Sequence, residues 1–248
     1  MRRSPSIVCG VAYIILLFCG AASAQIAYVA GGGSCKGGAG SSVTSNAINA
    51  TGANFVAVSV ADYYTVTPFV APVDSLGNTL TCRTSYYNGS YGNSRTTICY
   101  AKGISPGAGY TVTYNNTHGS SYPAICVAAF SGVAPTSPYE VESGLAKANP
   151  SPISPGSVTP TVANSLFISA NSGGGGSAYF QSIGSGFTSV GTAPATGNSF
   201  STELAYLIGT GLTPQNPSSA WSSPSGLTAA IAVFSPPNNA RRKIIVVQ

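Results

Sequence analysis

The sequence predicts an all-β protein built as a two-sheet antiparallel sandwich, jelly-roll or immunoglobulin-like, of about ten strands. Three observations predict it. No segment sustains a 3.6-residue apolar period. Short runs rich in β-branched and aromatic residues recur between clusters of Gly, Pro, Asn and Ser, as strands joined by turns do. Finally, 44% of the 248 residues are hydrophobic and only 6% are charged, the reverse of the weakly apolar, highly charged composition that leaves chains disordered.

Taken in order, the chain opens with Arg2 and Arg3, an apolar run over residues 7–18 and the small residues Gly20-Ala21-Ala22-Ser23-Ala24. That is the layout of a secretory signal peptide, with cleavage expected after Ala24. The apolar run is shorter than the roughly 20 residues that a membrane-spanning helix needs. Residues 25–42 read as a Gly-rich lead. Within it Gly31-Gly32-Gly33-Ser34-Cys35-Lys36-Gly37-Gly38 lacks the Gly-Lys-Ser/Thr order of a phosphate-cradling loop. The sandwich domain is expected over residues 43–237, followed by a tail, 238–248, with a basic start and an apolar end.

Inside the domain, residues 55–60 read as a buried strand. Residues 79–87 and 95–101 form a hairpin about the turn-rich segment Asn88-Gly89-Ser90-Tyr91-Gly92-Asn93, and 110–114 alternates as a half-buried strand does. Residues 125–130 are apolar enough to be central. Six prolines, at positions 135, 138, 150, 152, 155 and 160, mark residues 133–160 as a long connection. Strands follow at 165–170, 178–183, 200–208 and 227–234, the first two joined by a tip containing Gly173 to Gly176. A likeness between residues 124–131 and 229–235 suggests equivalent strands closing two halves.

Cysteine usage agrees with export. Cys9 and Cys19 leave with the signal, so Cys35, Cys82, Cys99 and Cys126 remain, an even number suited to an oxidising compartment. In the predicted hairpin Cys82 and Cys99 face each other across the two strands at bridging distance. That leaves Cys35 for Cys126. Of the ten Lys and Arg residues, Arg2 and Arg3 leave with the signal, so eight stand against five acids, a net of +3. Three of those eight, Arg241, Arg242 and Lys243, belong to the tail. The domain has no electrostatic footprint for nucleic acid.

Several landmarks together resemble a class of uncharacterised secreted bacterial β-sandwich domains found in surface and extracellular proteins. They are Pro72-Val73-Asp74-Ser75-Leu76-Gly77-Asn78-Thr79, Tyr122-Pro123-Ala124 through Phe130-Ser131-Gly132-Val133, Pro155-Gly156-Ser157-Val158-Thr159-Pro160-Thr161, and Glu203-Leu204-Ala205-Tyr206. The resemblance spans residues 43–235 and implies a sandwich fold and an extracellular location. It supplies no catalytic residues. The cysteines and the Tyr-rich hairpin are departures from it.

The chemistry on offer is sparse. Gly103-Ile104-Ser105-Pro106-Gly107 fits the G-x-S-x-G pattern, but no helix is expected after it and Pro106 has no N–H to give an oxyanion. It reads as a turn. One histidine, His118, makes a His-containing zinc site improbable, and no cofactor is expected. The acids are Asp62, Asp74, Glu140, Glu142 and Glu203; a glycosidase needs two of them across one cleft, and Asp74 suits a turn in which it bonds local backbone. Asn49, Asn88 and Asn115 begin N-glycosylation triplets, relevant only in a eukaryotic source. The better lead is aromatic: Tyr86, Tyr87 and Tyr91 cluster at the hairpin tip beside Asn88, Ser90 and Asn93, and are the candidate ligand-binding residues. The expectation is a secreted, non-catalytic binding or adhesion module whose partner is a polysaccharide, a cell surface or another extracellular protein. The alternatives are a self-associating subunit of a fibre or surface layer, and a carboxylate-dependent glycoside hydrolase.

Overall fold

The apolar runs become strands buried on both faces. In a computed structural model, residues 25–63, 68–89, 93–116, 119, 122–147, 151–174, 178–193, 200–222 and 225–237 are described. The expected signal peptide, the tail, Tyr91 and His118 therefore lie outside the described residues. The first half of the chain forms β1 (Ala27–Gly37), β2 (Ser42–Thr44), β3 (Ile48–Asn49), β4 (Phe55–Tyr63), β5 (Val73–Asp74), β6 (Thr81–Cys82), β7 (Tyr86–Tyr87), β8 (Ser94–Lys102), β9 (Ala108–Tyr110), β10 (Val112–Asn115) and β11 (Ala124–Ser131). The second half forms β12 (Tyr139–Lys147), β13 (Ser165–Gly174), β14 (Tyr179–Ile183), β15 (Thr188–Ala193), β16 (Ser201–Gly209), β17 (Ser219–Ser222) and β18 (Gly226–Phe234). Among the described residues there is no helix.

Two large antiparallel sheets face each other. One runs β1-β11-β4-β8-β6 with β7 also on β8, the other β12-β18-β13-β16-β15. Between them lies the main core, where Phe55, Ile98, Tyr100 and Phe130 meet Leu166, Ile168, Leu204 and Phe234. The rings of Phe55 and Phe234 sit 4.8 Å apart, centroid to centroid. The outer faces are covered as well. The small sheets β2-β10-β5 and β3-β9 bury Val56, Val58, Val60, Ile125 and Val127. The β14-β17 ribbon, with Ile153 and Val158, covers the outer face of the second sheet.

The two halves have one topology. The order β1-β11-β4-β8 recurs as β12-β18-β13-β16, and β6 and β15 each add outside the last strand of their half. Register agrees too. Phe55 lies opposite Phe130 and Lys102, and Leu166 lies opposite Phe234 and Ile208. The equivalences that follow place Phe130 with Phe234, Ile98 with Leu204 and Tyr100 with Tyr206, all at the inter-sheet core. The likeness between residues 124–131 and 229–235 thus corresponds to β11 and β18, which hold the same place in the two sheets.

Two expectations are corrected. The Gly-rich lead over 25–42 is not a lead: β1 within it pairs with β11 and carries a bulge between Tyr28 and Gly33. Its glycines fit the sheet edge, since a Cβ on Gly33 would overlap Val190 of β15 and the Tyr28 hydroxyl. Nor is 133–160 an unbroken connection. Its prolines flank residues 139–147 without interrupting them, so β12 forms there as an edge strand on β18. Both cysteine pairs form as expected, Cys35 with Cys126 and Cys82 with Cys99, each between directly opposed residues.

The loops these bridges close differ in length, 91 residues against 17. Chain-entropy arguments give roughly 4.5 and about 3 kcal/mol respectively. Chemical denaturation of the two double-alanine variants is expected to show the Cys35→Ala/Cys126→Ala protein as the less stable.

Candidate functional site

The sandwich is polar along its length. Gln25 reaches the chain at Gly132, and Ser235 bonds its backbone N–H to Pro138 O, so the described chain enters and leaves at one end. The exposed aromatics of the described residues lie toward the opposite end, on three different elements. Tyr63, Tyr87 and Tyr179 are 39%, 48% and 48% exposed. Tyr63 closes β4, where its ring lies 6.1 Å from that of Phe200 and its hydroxyl accepts from Asn93 Nδ2 at 3.0 Å. The Phe200 N–H donates to Tyr122 O at 3.1 Å. Tyr122 holds a left-handed backbone, φ 44°, uncommon for an aromatic residue and a place where strain is stored.

Tyr86 and Tyr87, two of the three tyrosines singled out from sequence, do not share a face. Tyr86 and Tyr87 are consecutive on β7, so their side chains leave opposite faces. The Tyr86 ring packs on Gly144 of β12 so closely that any Cβ there would collide with it. Burial first, and then Glu142, push its hydroxyl up. Tyr86 therefore bridges the two sheets. Tyr87, opposite Arg95, is exposed. Tyr91 lies outside the described residues. Ser105 occupies irregular chain between β8 and β9, with no helix after it.

All five carboxylates are tied into the fold. Asp62 is fully buried; it pairs with Arg95, whose Nε donates to Oδ1 at 2.7 Å, and it accepts from the Tyr114 hydroxyl and from Asn116 Nδ2. Asp74 Oδ1 accepts the backbone N–H groups of Leu76 and Asn78 at 2.9 and 2.8 Å. This is the expected turn, with Gly77 at φ 83° completing it. Asp74 Oδ2 takes the Tyr110 hydroxyl at 2.9 Å, and burial, then this carboxylate, push that hydroxyl up. Glu140 accepts from Thr161 and Ser165. Glu142 accepts from Arg83 at 3.0 and 3.3 Å and from Thr84, while the Arg83 guanidinium lies 3.5 Å from the centroid of the Tyr139 ring.

Glu203 is the exception in character. It is fully buried; Asn171 Nδ2 donates to Oε2 at 2.8 Å, the Ser189 hydroxyl interacts more weakly with the carboxyl, and Oε1 has no close partner. Burial pushes its carboxyl up to about 8, against smaller opposing effects of Asn171 and Ser189. Sequence reasoning weighed it only as a possible partner of Glu140 or Glu142; a lone carboxylate inside the run Phe200-Ser201-Thr202-Glu203-Leu204-Ala205-Tyr206-Leu207-Ile208 was a signal of its burial. The Arg83–Tyr139–Glu142 contact was also missed, because it joins positions 59 residues apart. A groove of roughly 500 Å³ lies at the end where the chain leaves, lined by Ala134, Pro135, Thr136, Ser137, Val162, Ser235, Pro236 and Pro237. It offers no ionisable side chain. Among the described residues no group of three His, Cys, Asp or Glu side chains could hold a metal.

Two predictions come from these carboxylates. Asp62→Asn leaves Arg95 buried without its counter-charge, and loss of one partner of such a pair costs roughly 3–5 kcal/mol; denaturant titration reads it. Glu203 acts in the opposite direction. Unfolded, it ionises near its ordinary 4.5, whereas the folded protein keeps the proton to about 8. Between those values the unfolded state sheds a proton that the native state retains, so stability falls as pH rises and the loss is complete above the upper value. Melting temperature followed from pH 4 to pH 9 is expected to decline less steeply in Glu203→Gln than in the parent.

Comparison of the chain with family models, with curated proteins and with solved structures returned no match.

Proposed function

We propose that this chain is a secreted, non-catalytic binding module, a sandwich of jelly-roll or immunoglobulin-like kind, that attaches to an uncharged polysaccharide or polar protein surface. The observation that carries the reading is the exposure of Tyr63, Tyr87 and Tyr179 toward the end of the sandwich opposite the chain ends. A tyrosine there offers a flat apolar face and a hydroxyl at small entropic cost. Tyr63 is presented in this way, with Phe200 behind it and Asn93 on its hydroxyl. The low charge of the chain favours a neutral partner over an ionic one. Export is supported by the layout of residues 1–24 and by two disulfides, which suit an oxidising compartment. The structural bonding of all five carboxylates supports a non-catalytic role, because a hydrolase keeps two of them facing a cleft.

Arrays of neutral glycans and of extracellular proteins, probed with residues 25–237, test this. Binding is expected to weaken about tenfold for Tyr63→Ala, the scale of one aromatic contact, while Tyr86→Ala is expected to lower stability through its Gly144 contact. Turnover of a glycan by the parent, abolished by changing any two acids, would favour the hydrolase. Filaments in place of ligand binding would favour the self-assembling subunit.

A further inference from the structure

The equivalence of the two halves exposes a polar site that the second half leaves open. In the first half Asp62 lies opposite Arg95, and Tyr114 and Asn116 reach down onto it from above. The register carries Asp62 to Gly173 and Arg95 to Ser201. The covering strands correspond as well: the Val43–Tyr114 pair of β2 and β10 has its counterpart in the Ile153–Ser219 bridge. Ser219 and Trp221 therefore stand where Tyr114 and Asn116 stand, above a glycine in place of a carboxylate. Both have lost a partner. Ser219 Oγ and Trp221 Nε1 are buried without a hydrogen bond, and so are Asn171 Oδ1 and Glu203 Oε1 on the sheet beneath.

The residues that carry these atoms sit on adjoining strands and on the ribbon that covers them. Asn171 and Glu203 face each other across β13 and β16. The Trp221 ring lies against Gly173, where a Cβ would come within 3.1 Å of it, two residues along β13 from Asn171. Trp221 also packs with Leu227 and Ala229, and Ala229 is opposite Asn171. Ser219 and Trp221 are the buried alternation of β17. We propose that the β14–β17 ribbon covers a built site for internal water, formed by Asn171, Glu203, Ser219 and Trp221.

The donor and acceptor inventory fits that ligand. Glu203 Oε2 accepts from Asn171, so the proton sits on Oε1 and makes it a donor. Trp221 Nε1–H is a second donor, and Asn171 Oδ1 and Ser219 Oγ are acceptors. Two donors and two acceptors are what a tetrahedral water satisfies, and buried waters occur where two to four such partners converge. An ionised Glu203 would remove one donor and add an uncompensated buried charge. The residues around it are uncharged: Asn171 and Ala229 from the neighbouring strands, Ser189 and Thr192 from β15, and Ser219 and Trp221 from β17. Burial raises the point of ionisation to about 8, so the site is stable at neutral pH and is expected to loosen above it.

Trp221 is the one tryptophan of the chain, so its fluorescence reports on this site alone. The disulfide-intact protein is expected to show an emission shift on alkaline titration with a midpoint near 8, and Glu203→Gln is expected to lack it. A crystal structure at pH 6 is expected to place water within hydrogen-bond distance of Trp221 Nε1 and Glu203 Oε1. The infrared spectrum of the parent at neutral pH is expected to contain a protonated-carboxyl band, a readout that survives if the variant fails to fold. A dry site, an emission unchanged between pH 6 and pH 10, a transition retained by Glu203→Gln, or no such band would each overturn the proposal. None of these outcomes bears on the binding function proposed above.

Discussion

Both faces of each large sheet are buried, and that constraint shapes the rest of the molecule. β4, β8, β11, β13 and β18 are buried along nearly their whole length, so each residue in them must be apolar, small or supplied with its own hydrogen-bond partner. The scarcity of charge follows directly. Where a charge does enter, as at Asp62, it brings a guanidinium, a phenol and an amide with it. Thr96, Ser172 and Thr228 solve the neutral version of the problem by bonding one another between the sheets.

Covering the faces leaves the long sides of the sandwich, where unpaired strand edges invite association. These sides are closed by contact between the two sheets. Along one, β1 and β15 approach at Gly33 and Gly191, each lying against a side chain of the other strand. Along the other, Tyr86 seats on Gly144, and Arg83 spans Tyr139 and Glu142. With faces covered and sides latched, the surfaces left to meet a partner are the ends of the sandwich and the outward sides of the covering strands, where Val73 and Tyr179 are exposed. The proposed binding end is one of these.

The sequence made the fold class legible because burial on two faces writes itself as short unbroken apolar runs such as residues 55–61 and 229–234. The disulfide register was legible for a related reason: a turn rich in Asn and Gly sets a hairpin's pairing, and with it which cysteines oppose. β1 and β12 were not legible. An edge strand of Gly, Ser and Lys, or one framed by prolines, owes its structure to the neighbour it pairs with and carries little signal of its own. The candidate site suffered the same limitation. Tyr86 and Tyr87 look alike in sequence, yet adjacent strand positions face opposite ways, and only the packing of Gly144 shows which is structural.

Glu203 illustrates what tandem equivalence adds to such a reading. Judged alone, its buried carboxyl with one close partner is an oddity of packing. Beside its counterpart half it becomes interpretable, because the same frame there contains a solution in which one carboxylate, Asp62, accepts from Arg95, Tyr114 and Asn116. Replacing Asp62 and Arg95 by Gly173 and Ser201 removes a salt bridge from that frame together with the atoms that filled it. Trp221 occupies part of the volume, but an indole has a single donor and no acceptor, so it cannot restore the polar balance. The carboxyl one step along β16 completes the balance only while it is protonated. Where the first half holds an internal ion pair, the second half holds a neutral acid whose proton the fold must keep.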